Sequence, residues 1–77
     1  MATEPEIVDA RGLKCPLPVL RLEKRLARLA PGATLVVLAT DPMARVDIPL
    51  YCRQHGHAQR LDAEADGAMR FTIVKAA

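Results

Sequence analysis

A cysteine stands directly before two closely spaced prolines, Cys15-Pro16-Leu17-Pro18, between a short β-branched run and an amphipathic one. Inside a helix each proline would lack an N–H donor and clash with the preceding turn. In the first turn those N–H groups have no intrahelical partner, so the cost is small. The spacing therefore places Cys15 at or next to a helix N-cap, with Pro16 as the first helical residue. A thiol at that end of the helix dipole is favoured as thiolate, and helix N-termini can lower a free cysteine pKa from about 8.5 to roughly 3.5–7.5. The neighbouring Arg11 and Lys14 are a second source of the same effect. A small apolar residue filling a strand–helix junction is the competing reading, since buried cysteine commonly does that. No histidine stands at a spacing that fixes a Cys-His pair, and no oxyanion motif is visible, so hydrolysis and acyl transfer are not supported. The chain lacks Cys-x-x-Cys, which argues against two-thiol redox chemistry. Simple thiol exchange or persulfide transfer needs less machinery, because a partner can supply the activation.

The other candidate side chains read as structural first. Cys52 falls in helical register with Ile48 and His55, as a small core residue would, and its functional alternative is a resolving thiol for Cys15. Cys52, His55 and His57 could form part of a metal cluster, but a structural zinc site needs four ligands and only Cys15 is spare, so no metal is expected. Asp41 and Asp47 each precede a turn or helix start, and capping accounts for both. A role for Asp41 in contacting a partner or tuning the thiol is secondary. Arg21, Lys24, Arg25 and Arg28 share one side of the first amphipathic run. They read as a solvated face or, functionally, as a docking surface for an acidic partner or RNA.

These residues must be positioned by a small scaffold. The chain has 77 residues, 51% hydrophobic and 3% aromatic, with a net charge of +2, enough for one domain with an aliphatic core. The expected domain spans 1–77 with a flexible tail at 1–5. The N-terminus is acidic and has no apolar segment, unlike a signal peptide, and no run is long and apolar enough to span a bilayer. A cytoplasmic protein with reduced thiols is expected.

A strand is read at 6–10 and a turn at 11–14. The first helix is read at 16 to about 30, with Val19, Leu22, Leu26 and Leu29 on its apolar stripe and Leu20 widening it. Pro31-Gly32 stops that helix. Residues 35–39 are continuously apolar and read as a central strand. Pro49 places the second helix at 48–55, with Asp47 as N-cap and 42–46 as a turn. An edge strand at 57–64, a hairpin turn at Asp66-Gly67 and an alternating strand at 68–74 complete the chain. The expected fold is an α/β two-layer sandwich, βαβαββ, with two helices on one face of a four-stranded mixed sheet. The opposite sheet face is then open to a partner.

The run from Asp9 to Pro18, with its Cys-Pro-x-Pro core, resembles the signature of the TusA (SirA-like) sulfur-carrier family. A second block, Thr40-Asp41-Pro42 through Asp47-Ile48-Pro49 to Cys52 and Gly56-His57, is similar to the same family. The resemblance implies strand order 1-2-4-3. It also implies that Cys15 accepts a sulfane sulfur as a persulfide from a cysteine desulfurase or rhodanese and hands it to an acceptor protein. Pro16, Pro18, Arg11, Lys14 and Asp41 are the supporting residues, with Asp41 matching a position implicated in partner contact. Cofactors, membrane contact and direct nucleic-acid binding are not expected, and the chain is expected to be a monomer. Leu17 stands where members serving tRNA 2-thiolation often carry glutamate, so the acceptor route stays open among tRNA thiolation, molybdenum-cofactor enzyme maturation, sulfur oxidation and another trafficking route. The rivals are a non-catalytic protein or RNA interaction module of the same fold and a single-thiol redox sensor.

Overall fold

The computed structural model describes residues 6–64 and 66–76, and the tail expected at 1–5 lies outside them. Along the chain run β1 (Glu6–Ala10), α1 (Leu17–Leu26), β2 (Thr34–Ala39), α2 (Ala44–His55), β3 (Ala58–Ala63) and β4 (Met69–Val74). The sheet order is β1-β2-β4-β3, with β1 and β2 parallel and the other two pairings antiparallel. This is the expected βαβαββ sandwich with both helices on one face.

Register explains the two faces. Val8 pairs with Val37, Val37 with Phe71, and Phe71 with Leu61, so one row of apolar side chains crosses the sheet under the helices. Leu35, Val37, Phe71 and Ile73 are fully buried there, and Leu22, Leu26, Ile48 and Cys52 close the layer from the helix side. With period-two alternation, the next row falls on the opposite face and is mostly charged: Asp9, Leu38, Arg70 and Asp62. That face is tiled with ion pairs, Arg11–Asp9 (2.9 Å), Arg60–Asp62 (3.1 Å) and Arg70–Glu64 (3.5 Å). It is polar and its charges are largely matched within the face.

Four local expectations are corrected. The first helix stops at Leu26 instead of about residue 30, and Arg28 and Leu29 turn through i→i+3 bonds of 3.1 and 3.0 Å. Lys75 reaches across from the C-terminal segment and donates to the carbonyls of Leu26 (2.8 Å) and Leu29 (2.6 Å). A cation satisfying terminal carbonyls is a favourable helix end. Leu20 does not widen the buried stripe. It sits two residues before Leu22, about 200° round the helix, and is exposed.

The second helix begins at Ala44, four residues before the expected start, and carries Pro49 in its interior. Its opening is tight, with i→i+3 bonds from Ala44, Arg45 and Val46, before Asp47 N–H reaches the Met43 carbonyl at 2.8 Å. An interior proline costs about 3 kcal/mol. Here the orphaned carbonyl belongs to exposed Arg45, where water can take it, and burial of neighbouring Ile48 and Cys52 offsets the rest. Asp47 is therefore a first-turn residue rather than the N-cap.

Candidate functional site

Parallel pairing of β1 and β2 brings Ala10 opposite Ala39, so the loops leaving both strands emerge side by side. Side chains of the second loop staple the first. Thr40 Oγ1 accepts the Gly12 N–H at 2.8 Å, and Gly12 takes φ 81°, which favours glycine. Asp41 Oδ2 accepts the Cys15 N–H at 2.6 Å, while its Oδ1 accepts the Met43 N–H at 3.1 Å. One carboxylate thus fixes the cysteine backbone to the start of α2. Asp41 is held below the usual carboxylate range by these two N–H donors, with Lys14 adding a favourable charge.

Cys15 is exposed and free. It lies one residue before the N-cap, Pro16, and the Cys15–Pro16 peptide is cis. Pro16 is therefore the cap rather than the first helical residue, while Pro18 is buried and anchors the motif to the core. The thiol's acidity runs opposite to expectation. Hydrogen bonding to the Asp47 carboxylate, partial desolvation, and the charges of Asp47 and Asp41 push its pKa up. Arg11, expected to favour the thiolate, is engaged by other carboxylates. Its guanidinium grips Asp9 through two 2.9 Å bonds and approaches Asp66 at 3.8 Å. The influence of Lys14 falls on Asp41. Carboxylates, not the basic residues, surround this sulfur electrostatically.

Sequence reasoning missed Asp47 as a neighbour of the thiol, and it missed an exposed apolar stripe on α2. Met43, Val46 and Leu50, at i, i+3 and i+7, are all exposed, and Leu17 is exposed beside the thiol. The spacing was legible, but only for a helix starting near residue 43.

Cys52 is fully buried, and burial alone pushes its pKa to about 11. An inaccessible neutral thiol cannot act as a resolving partner, so that reading is dropped. His55 packs on Tyr51 with ring centroids 4.4 Å apart. His57 Nδ1 accepts the Ala76 N–H at 2.9 Å. Burial, with His55 and Lys75 nearby, lowers the His57 pKa. Among the described residues no three His, Cys, Asp or Glu side chains group as a metal site, and no helix is long and apolar enough to cross a membrane.

Known proteins resemble this chain in sequence and in fold. The family described as Sulfurtransferase TusA matches residues 6–75. A putative sulfur carrier protein of Neisseria meningitidis is 49% identical over 69 residues, covering 90% of each chain. The sulfur carrier protein TusA of Pseudomonas aeruginosa is 45% identical over 71 residues, covering 92% of this chain and 90% of its own. The crystal structure of a SirA-like protein from Desulfitobacterium hafniense superposes with a TM-score of 0.84 at 29% identity, over 92% of this chain and 97% of that one. A family match spanning both stapled loops and all four strands, together with relatives of this identity, places the chain in the TusA sulfurtransferase family.

Proposed function

We propose that this chain is a sulfur carrier that takes a sulfane sulfur onto Cys15 as a persulfide and passes it to an acceptor protein. The observation that carries the site assignment is the contrast in access: Cys15 is an exposed thiol on a pinned backbone, and Cys52 is sealed in the core. The relatives named as sulfur carriers supply the cargo.

The transfer is a thiol exchange at sulfur. The Cys15 sulfur attacks the terminal sulfur of a donor persulfide, the donor S–S bond breaks, and a new S–S bond forms on Cys15. The donor leaves as thiolate and takes up the proton that Cys15 loses, so no net oxidation occurs. With the Cys15 pKa raised above its ordinary value, deprotonation belongs to the docked complex, where the leaving thiolate receives the proton. The exposed aliphatic side chains of Leu17, Met43 and Val46 suit a partner surface that closes over the sulfur and excludes water.

A cysteine desulfurase or a rhodanese is the donor class this reading names, in the cytoplasm, with the chain acting as a single monomeric domain. Asp41 positions the cysteine backbone and stands at the partner-facing end. Leu17 between the prolines keeps tRNA thiolation, molybdenum-cofactor maturation and sulfur oxidation as the acceptor routes to compare.

The test is intact-protein mass spectrometry after incubation with a desulfurase and cysteine, or with a rhodanese and thiosulfate. A reducible gain of one sulfur atom is expected on the native chain and absent from a folded Cys15→Ser variant. Retained loading in that variant overturns the site assignment, and failure of the native chain with every donor overturns the carrier reading.

A further inference from the structure

A groove of about 700 Å³ runs along the outer edge of β1, between that strand and α1. Its strand wall is Ile7 to Asp9, and its helix wall carries Leu17 and Leu20. Ile7, Leu17 and Leu20 are 52%, 45% and 50% exposed, a concentration of uncovered aliphatic surface in one place. β1 is a terminal strand of the sheet, so its outer edge pairs with nothing among the described residues. The opposite edge strand, β3, carries the Arg60–Asp62 ion pair, a charged guard against stray pairing. β1 has a different guard, because four cations line the same groove: Arg21, Lys24 and Arg25 of α1 and Arg28 of the turn that follows it.

The charge balance of this groove points to its occupant. Glu6 of β1 already reaches across to Arg25 at 3.1 Å, an internal example of a strand carboxylate meeting this rim. Asp9 is matched by Arg11. Arg21, Lys24 and Arg28 make no ion pair among the described residues. We propose that this groove docks an extended acidic segment of a partner protein, which adds as a further strand to the free edge of β1. Main-chain hydrogen bonds to the edge supply affinity, carboxylates on the side facing α1 meet the three cations that are unpaired among the described residues, as Glu6 meets Arg25, and the alternate apolar side chains, on the other face, cover Ile7.

Two other occupants fit less well. A second copy paired edge to edge would bring two cationic rims together, which is repulsive. Single-stranded RNA sites combine a cationic groove with aromatic stacking platforms, and this groove has the cations but no aromatic wall. The inference rests on the carrier reading only for calling the partner a sulfur donor or acceptor. The surface itself is tested without Cys15.

The probe is a fluorescein-labelled eight-residue peptide alternating glutamate with leucine or valine, titrated against the full chain by anisotropy. Saturable binding is expected, together with slowed amide exchange in β1. Replacing every glutamate by lysine should abolish binding. Methylating alternate backbone nitrogens of the peptide, or combining Arg21→Glu, Lys24→Glu and Arg28→Glu in a chain shown to be folded by circular dichroism, should weaken binding at least about tenfold. The Cys15→Ser chain should bind as the native chain does, so failure of sulfur loading and failure of docking are read separately. Equal binding of the N-methylated peptide, indifference to charge reversal, no saturation by the native chain, or tighter binding of a single-stranded RNA decamer would each overturn the proposal.

Discussion

The two cysteines of this chain sit in opposite surroundings yet shift in the same direction. Cys52 is enclosed by core side chains, and burial raises its pKa to about 11. Cys15 is exposed, and a carboxylate hydrogen bond leads the causes that raise it. Acidity therefore does not separate the carrier candidate from the structural thiol; access and a fixed backbone do. A surface thiol whose pKa is raised is a poor target for random electrophiles, because the thiolate is the nucleophile. It becomes useful when a partner supplies an activated sulfur and accepts the proton.

The largest effect should come from exchanging the roles of the two residues. Cys15→Ser should remove sulfur loading completely while shifting stability by no more than about 0.5 kcal/mol, as expected of a surface substitution. Cys52→Ser should do the reverse: loading persists in the folded fraction, while a hydroxyl placed in an apolar, fully buried site costs about 1–3 kcal/mol. Loading read by mass spectrometry and stability read by urea unfolding check both. A loading defect in folded Cys52→Ser would break the comparison.

A smaller effect sharpens the electrostatic half. Asp47→Asn removes the charge that opposes the thiolate, so the Cys15 pKa should fall. Each unit recovered raises the thiolate fraction about tenfold. Intrinsic nucleophilicity then falls about threefold, leaving a net gain of about threefold per unit. The iodoacetamide alkylation rate of Cys15 at pH 7 should rise accordingly, and the midpoint of its pH–rate profile should move down from a starting point above the ordinary thiol. A native profile with its midpoint below the ordinary thiol value would show that the helix dipole dominates the carboxylates.

That contest also marks where the sequence was legible. β2 and β4 were readable because a continuous apolar run and a strict alternation are local signals, and both were placed within one residue. The start of α1 was readable from Pro16 and Pro18, since their cost vanishes only at a helix start. The same rule misled at Pro49, where the exposed carbonyl of Arg45 lets the helix continue through the proline. Misplacing α2 hid Asp47, because a residue read as an N-cap was not considered as a neighbour of a thiol on another loop. The end of α1 was not legible at all: Lys75 sets it from 46 to 49 positions away along the chain. Local chemistry of the Cys-Pro-x-Pro motif could be read from sequence, but its electrostatics depended on side chains brought in by the β1–β2 pairing.

The smallest effect isolates the backbone pin, which Cys52 has no need of. The Asp41 carboxylate has a depressed pKa because it accepts the Cys15 and Met43 N–H groups, so the charged form is the one the fold binds. A depressed acid contributes its stabilisation above the unfolded-state value, near 3.8, and loses it as pH falls through the lower folded value. The contribution should thus be intact at neutral pH and disappear only in strong acid. Asp41→Ala should remove it at every pH, leaving the Cys15 N–H without its acceptor. Amide exchange at Cys15 and Met43 should accelerate, while exchange in β4 should stay as in the native chain. The loop carrying the thiol would then sample more orientations, so sulfur transfer from a protein donor should slow more than alkylation by a small reagent, which can approach from any side. Equal slowing of both would mean that Asp41 acts on the reactivity of the sulfur rather than on its position.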